Sequence, residues 1–97
     1  MKKQGYIALT TICECHGINE SFVISLSEFE LIEVVEDNRE KLIAEHQLTD
    51  LEKFIRLSNE LDINVAGIEA IHRLTKRMEQ MQREMELLEK RLEIYEE

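Results

Sequence analysis

Proline is missing from this chain altogether, tryptophan never occurs and glycine appears only three times. Nothing in the sequence therefore forces a kink in a long helix. There is no glycine-rich loop to cradle a phosphate, no G-x-S-x-G nucleophile elbow and no H-E-x-x-H zinc helix. Aromatics make up 5% of the chain, and carboxylates without an apolar pocket around them serve as a solvated face rather than an acid/base pair. An enzyme is not expected. No apolar run approaches the roughly 20 residues of a membrane-spanning helix. The first residues, "MKKQGYIALTTICECHG", start basic but lack the apolar core of a secretion signal. With two cysteines and no such signal, a reducing cytoplasm is the expected compartment. One further absence is local. Between Gly5 and Asn38 there is no lysine or arginine, although Glu14, Glu20, Glu28, Glu30, Glu33, Glu36 and Asp37 all fall there.

What is present is one small domain with an appendage. Ninety-seven residues bury only about 60–65% of their unfolded surface, so partner subunits are a natural source of extra stability. The net charge is −9, from 21 acidic and 12 basic residues, which disfavours nucleic acid and anionic membranes and favours basic protein surfaces.

The local pattern predicts a mainly α-helical chain. Tyr6 to Leu9 form a short apolar strand or extended lead-in. A first helix covers Ile12 to His16, capped by Thr10 or Thr11 and stopped by Gly17. A second begins at Asn19 or Ser21 and turns Phe22, Val23, Leu26 and Phe29 toward a core. The stretches "LIEVVE" and "KLIAE", separated by "DNRE", read as a β-hairpin, so the order is helix, turn, helix, wing. In "LTDLEKFIRLSNEL", Thr49 and Glu52 have the spacing of a capping box, and Leu51, Phe54, Ile55 and Leu61 supply an apolar face. Asn64 then caps a final helix running to the C-terminus, which sets a winged domain over 1–63 and a long helix over 64–97.

That helix carries Ile71, Leu74, Met78, Met81, Met85, Leu88, Leu92 and Tyr95 at alternating spacings of three and four, the seam of a coiled coil. A helix of 34 residues is about 51 Å long, and a 63-residue globule covers roughly half of it. The distal turns would be left bare, and each wet Leu or Met forgoes about 1.5–3 kcal/mol. A homodimer joined along Leu74, Met78, Met81, Met85, Leu88, Leu92 and Tyr95 is the simplest cover. A parallel pairing would oppose Glu84 and Glu89; a helix folded back on its own domain is the other possibility.

Three chemical features compete for function. Cys13-Glu14-Cys15-His16 has metal-ligand residue types, but residues two apart on a helix point to roughly opposite sides. His46 and His72 have no paired spacing, so no metal or other cofactor is expected. The acidic run lies where a DNA-binding helix-turn-helix would hold phosphates and bases. Only Arg39 and Lys41 on the wing remain, against the roughly six to ten phosphate contacts that carry affinity. Glu28, Glu30, Glu33 and Glu36 instead form a candidate face for a basic protein, with Arg56, His72, Arg73 and Lys76 as a second exposed set.

Helix, turn, helix, wing and a helix pair ending in a coiled coil resemble the MerR-like winged helix-turn-helix architecture. The stretch from Leu57 to Ile68, closing on Asn64-Val65-Ala66-Gly67-Ile68, looks closer to CbpM-type chaperone modulators, with Asp62 where glycine is usual. That resemblance implies a dimer that binds and inhibits the J-domain of a DnaJ/CbpA-like co-chaperone. The rival expectation is a MerR-like transcriptional regulator that binds DNA.

Overall fold

A computed structural model describes residues 5–96, and its element order is that of a winged helix-turn-helix with a long terminal helix. Strand β1 (Tyr6–Ala8) leads directly into α1 (Leu9–His16); α2 (Glu20–Glu28) follows, then β2 (Val35–Asp37) and β3 (Glu40–Ala44). A 3-10 turn over Glu45–Gln47 feeds α3 (Leu48–Leu61), and α4 (Val65–Tyr95) completes the chain. Lys2 and Lys3, the basic start noted above, lie outside the described residues.

The three strands form one antiparallel sheet in the order β1-β3-β2. Ile7 sits opposite Ile43 and Val35 opposite Leu42, so the lead-in strand closes one side of the wing. The hairpin turns through Asn38 and Arg39, both with positive φ, as a two-residue type I′ turn requires. Asparagine accepts that conformation; Arg39 stands where glycine would be favoured.

Helix starts are set more by packing than by side-chain caps. α1 begins at Leu9, with Ala8 in extended conformation before it, and Thr10 and Thr11 lie inside the helix. Leu9 is buried, so the chain enters the helix on a core contact. Gly17 ends it in the left-handed region (φ 64°), and the Gly17 and Ile18 amides both donate to the Cys13 carbonyl. Asn19 occupies the cap position of α2 without a side-chain hydrogen bond. The Thr49–Glu52 capping box does not form: the 3-10 turn already supplies a helical approach, and Gln47 precedes the first helical residue. Asn64 does cap α4, accepting from the Gly67 amide at 2.8 Å.

The core gathers Leu9, Ile12, Val23, Leu26, Ile43, Leu51, Phe54 and Ile68, from β3 and all four α-helices. Two expected members are outside it. Phe29 follows the last residue of α2 and is exposed, and Leu61 at the end of α3 is 64% exposed. Gly67 permits the α3–α4 corner to close: a Cβ there would fall 2.7 Å from Ile63 Cγ2.

α4 spans about 46 Å at 1.5 Å per residue. Ile68 is its only fully buried residue, Ile71, His72 and Thr75 are half-buried, and every residue from 76 to 95 is exposed. The globule thus covers about a third of the helix rather than half, and about 30 Å of it stands free.

Candidate functional site

Two surfaces stand out from the fold, an acidic one on the helix-turn-helix and an apolar one along α4. The acidic surface begins at the end of α2. There the Leu31 amide donates to the Leu26 carbonyl at 2.9 Å and the Glu30 amide to the Ser27 carbonyl at 3.0 Å. This is a Schellman closure with a glutamate, φ 62°, in the position that favours glycine. Its carboxylate is exposed, as are those of Glu28, Glu33 and Glu36.

The loop after Glu30 is pinned from a distance of fourteen residues. The Glu33 amide donates to Gln47 Oε1 at 2.8 Å, and Gln47 Nε2 donates back to the Glu33 carbonyl at 3.0 Å. One glutamine side chain so imitates a neighbouring strand and holds Glu33 in place. A concavity of about 460 Å³ opens beside this clamp, lined by Ser27, Glu30, Leu31, Glu33, Val34 and Gln47. Glu30 and Glu33 share it, whereas Glu28 sits on the last turn of α2 and Glu36 on β2. Gln47 was not foreseen as part of the site. A lone glutamine fourteen positions beyond Glu33 leaves no local signature.

The opposing cations are few. Arg39 and Lys41 are exposed on the wing. In the second exposed set, Arg73 pairs with Glu69 at 3.3 Å and Lys76 lies 3.9 Å from Glu79, while Arg56 is exposed on α3. His72 is partly buried, with its ring edge-on to Phe54 at 5.3 Å and its Nδ1 buried without a hydrogen-bond partner. It belongs to the seat of α4 on the globule.

The cysteines diverge, as helix geometry requires: Cys13 is buried and Cys15 exposed. Burial, and then the charge of Glu20, pushes the Cys13 thiol above its ordinary pKa and keeps it protonated. Among the described residues, no group of three or more His, Cys, Asp or Glu is placed to hold a metal ion. No helix among them is long and apolar enough to cross a membrane.

On α4 the seam is bare. Leu74, Met78, Met81, Met85, Leu88, Leu92 and Tyr95 are each more than half exposed in the protomer, between 53% and 84%. Leu87 and Ile94, at 51% and 71%, are exposed off the seam and were not anticipated.

No curated protein and no solved structure matches the chain. Residues 7–90 match the family described as MerR HTH family regulatory protein, a span that takes in the helix-turn-helix, the wing, α3 and most of α4. With that much of its length matched, and with the winged architecture just described, the chain belongs to the MerR HTH family of regulatory proteins.

Proposed function

We propose that this MerR-family chain is a dimeric regulator that acts on a protein rather than on DNA: its acidic helix-turn-helix face holds the J-domain of a DnaJ/CbpA-like co-chaperone and inhibits it. One observation carries the proposal. Seven acids and no lysine or arginine occupy residues 5–38, and all six glutamates among the seven are exposed. A helix-turn-helix that reads DNA draws most of its affinity from phosphate contacts, and this face repels phosphate instead. Arg39 and Lys41 supply two contacts per chain, too few to offset it.

A basic partner surface suits the same face, because complementary potentials steer encounter and fix orientation. J-domains carry a basic helix. Their identity as the partner rests on the resemblance of Leu57–Ile68 to the CbpM-type phrase, and the charge of the face supplies only the sign. Inhibition follows from occupancy: a co-chaperone whose J-domain is held here cannot present it to its DnaK partner. The chain works by binding, with no reaction and no cofactor.

A homodimer is part of the proposal. The seven exposed seam residues of α4 form a stripe that a second copy covers, turning a wet apolar edge into a buried one.

Calorimetric titration of isolated J-domains into the full chain at physiological salt tests this reading, beside a DNA gel-shift assay. One J-domain bound per chain at micromolar affinity or tighter, with no DNA shift, is the expected result. No heat with any J-domain, together with a salt-sensitive DNA shift lost in Arg39→Ala/Lys41→Ala, would establish the DNA-binding regulator in its place.

A further inference from the structure

Half of the chain's twelve lysines and arginines lie on α4: Arg73, Lys76, Arg77, Arg83, Lys90 and Arg91. Three of them are placed as an exposed helix places its cations. Glu69 precedes Arg73 by four residues, Glu79 precedes Arg83 and Glu86 precedes Lys90, the order that stabilises a helix. Lys76 and Arg77 break this pattern. The residues four before them are His72 and Arg73, and the like charges of Arg73 and Arg77 at that spacing oppose the helix. The segment from His72 to Arg77 so gathers three fixed cations and a histidine on adjacent turns, in a chain of net charge −9.

The fold gives this segment a shape. A concavity of about 560 Å³ runs along it, and its lining includes His72, Arg73, Lys76, Arg77, Gln80 and, at the far end, Glu84. His72 is the anchored end: its ring stands edge-on to Phe54 at 5.3 Å, which seats this turn on the globule. The cations are weakly committed. Arg73 meets Glu69 at 3.3 Å and Lys76 meets Glu79 at 3.9 Å, but both cations are exposed, and exposed pairs contribute little. Arg77 makes no ion pair among the described residues.

The donor set selects the ligand. Two guanidinium forks and an ammonium offer more hydrogen bonds than the two oxygens of one carboxylate accept. They match the three oxygens and nearly two charges of a phosphoryl group. From Arg73 to Gln80 the helix rises about 10 Å, which leaves room for a second phosphoryl beyond the first. A long polyanion does not suit the place, because the acidic globule lies beside it and Glu84 stands at its end.

We propose that this turn of α4 is a binding site for a small phosphorylated anion of the diphosphate type. Arg73, Lys76 and Arg77 hold the phosphoryl oxygens, and Gln80 adds a neutral donor one turn on. The bound anion cancels the like-charge repulsion built into the turn, so it stabilises α4 where the helix leaves the globule. The site depends on neither the partner nor the dimer proposed above.

Calorimetric titration of inorganic pyrophosphate and of ATP into the full chain, without divalent cations, tests the site. Pyrophosphate binds saturably, one per chain, and raises the melting temperature. Arg73→Gln/Arg77→Gln weakens it about tenfold or more, since each lost guanidinium removes charge-assisted hydrogen bonds. Lys90→Gln/Arg91→Gln removes the same charge beyond screening distance along the helix and leaves the affinity within about twofold of wild type. Circular dichroism shows wild-type helix content in both variants. ATP binding no tighter than pyrophosphate identifies the phosphoryl groups alone as the ligand, and tighter ATP binding identifies a nucleotide; either result supports the site. Sulfate binding as tightly as pyrophosphate would mean an adventitious ion only. That result, no saturable heat with pyrophosphate or ATP, or an equal loss in Lys90→Gln/Arg91→Gln, would overturn the proposal.

Discussion

Among the described residues, four other than glycine hold a left-handed backbone conformation: Glu30 and Asp62 each close a helix, and Asn38 and Arg39 form the hairpin turn. Asp62 ends α3 with φ 55°, its backbone amide donating to the Leu57 carbonyl. An L side chain costs about 1 kcal/mol there. Asp62→Gly is therefore expected to raise stability by about 0.5–1 kcal/mol in a urea melt, with no change in cooperativity. Glu30 bears the same strain at the end of α2 but carries a carboxylate into the acidic concavity. Glu30→Gly should stabilise the fold by a similar amount and weaken the proposed J-domain binding, separating the two properties in one variant. Gly17 was legible in the sequence as a helix stop, because glycine marks such positions. Glu30 was not, because a glutamate in that conformation leaves no compositional trace. Cys13 adds a pH effect. Its thiol stays protonated in the fold, while the unfolded chain releases the proton near the ordinary value of 9.0, so stability contributed by this group is lost as pH rises past that point. Denaturant melts at pH 8 and pH 10 should show a smaller loss in Cys13→Ala than in wild type.

At the scale of elements, the long helix and the loop before the wing contrast in how far they could be read. The three-four spacing of α4 survives in the structure as one continuous helix with an exposed seam, since heptad periodicity is a local property of the chain. Met81, more than half exposed in the protomer, lies on the proposed dimer seam, and Met81→Glu should split that proposed dimer in sedimentation while leaving the thermal melt of the globule within about 0.5 kcal/mol of wild type. The span of α3 was read correctly, but its cap was misread for the opposite reason. Thr49 and Glu52 have capping-box spacing, but the 3-10 turn carrying Gln47 leads into the helix, and Gln47 is committed to Glu33 fourteen residues away. Glu52 instead lies 4.0 Å from His16 of α1. Phe29 fell out of the core because α2 ends one residue before it. The first error comes from a contact between distant segments and the second from a local helix closure, and helical periodicity reports neither. Gln47→Ala removes two hydrogen bonds and should cost about 1–2 kcal/mol, and the freed loop should exchange its Glu33 amide hydrogen faster.

The whole molecule combines a family scaffold with a reversed electrostatic sign. Its winged helix-turn-helix and long terminal helix place it among MerR-family regulators, and both parts were readable from turn signals and apolar spacing. The acidic face was readable as composition, but the way Gln47 presents Glu33 beside Glu30 depends on the folded loop. A net charge of −9, with seven acids and no lysine or arginine over residues 5–38, leaves a protein surface as the natural ligand in the account proposed above. The most direct test titrates a J-domain calorimetrically into wild-type chain and into Glu28→Lys/Glu30→Lys/Glu33→Lys at two salt concentrations. Wild-type affinity should fall with salt, and the triple variant should bind at least tenfold more weakly while retaining its fold by circular dichroism. Equal affinity of the two proteins at both salt concentrations would contradict the acidic face as the binding surface.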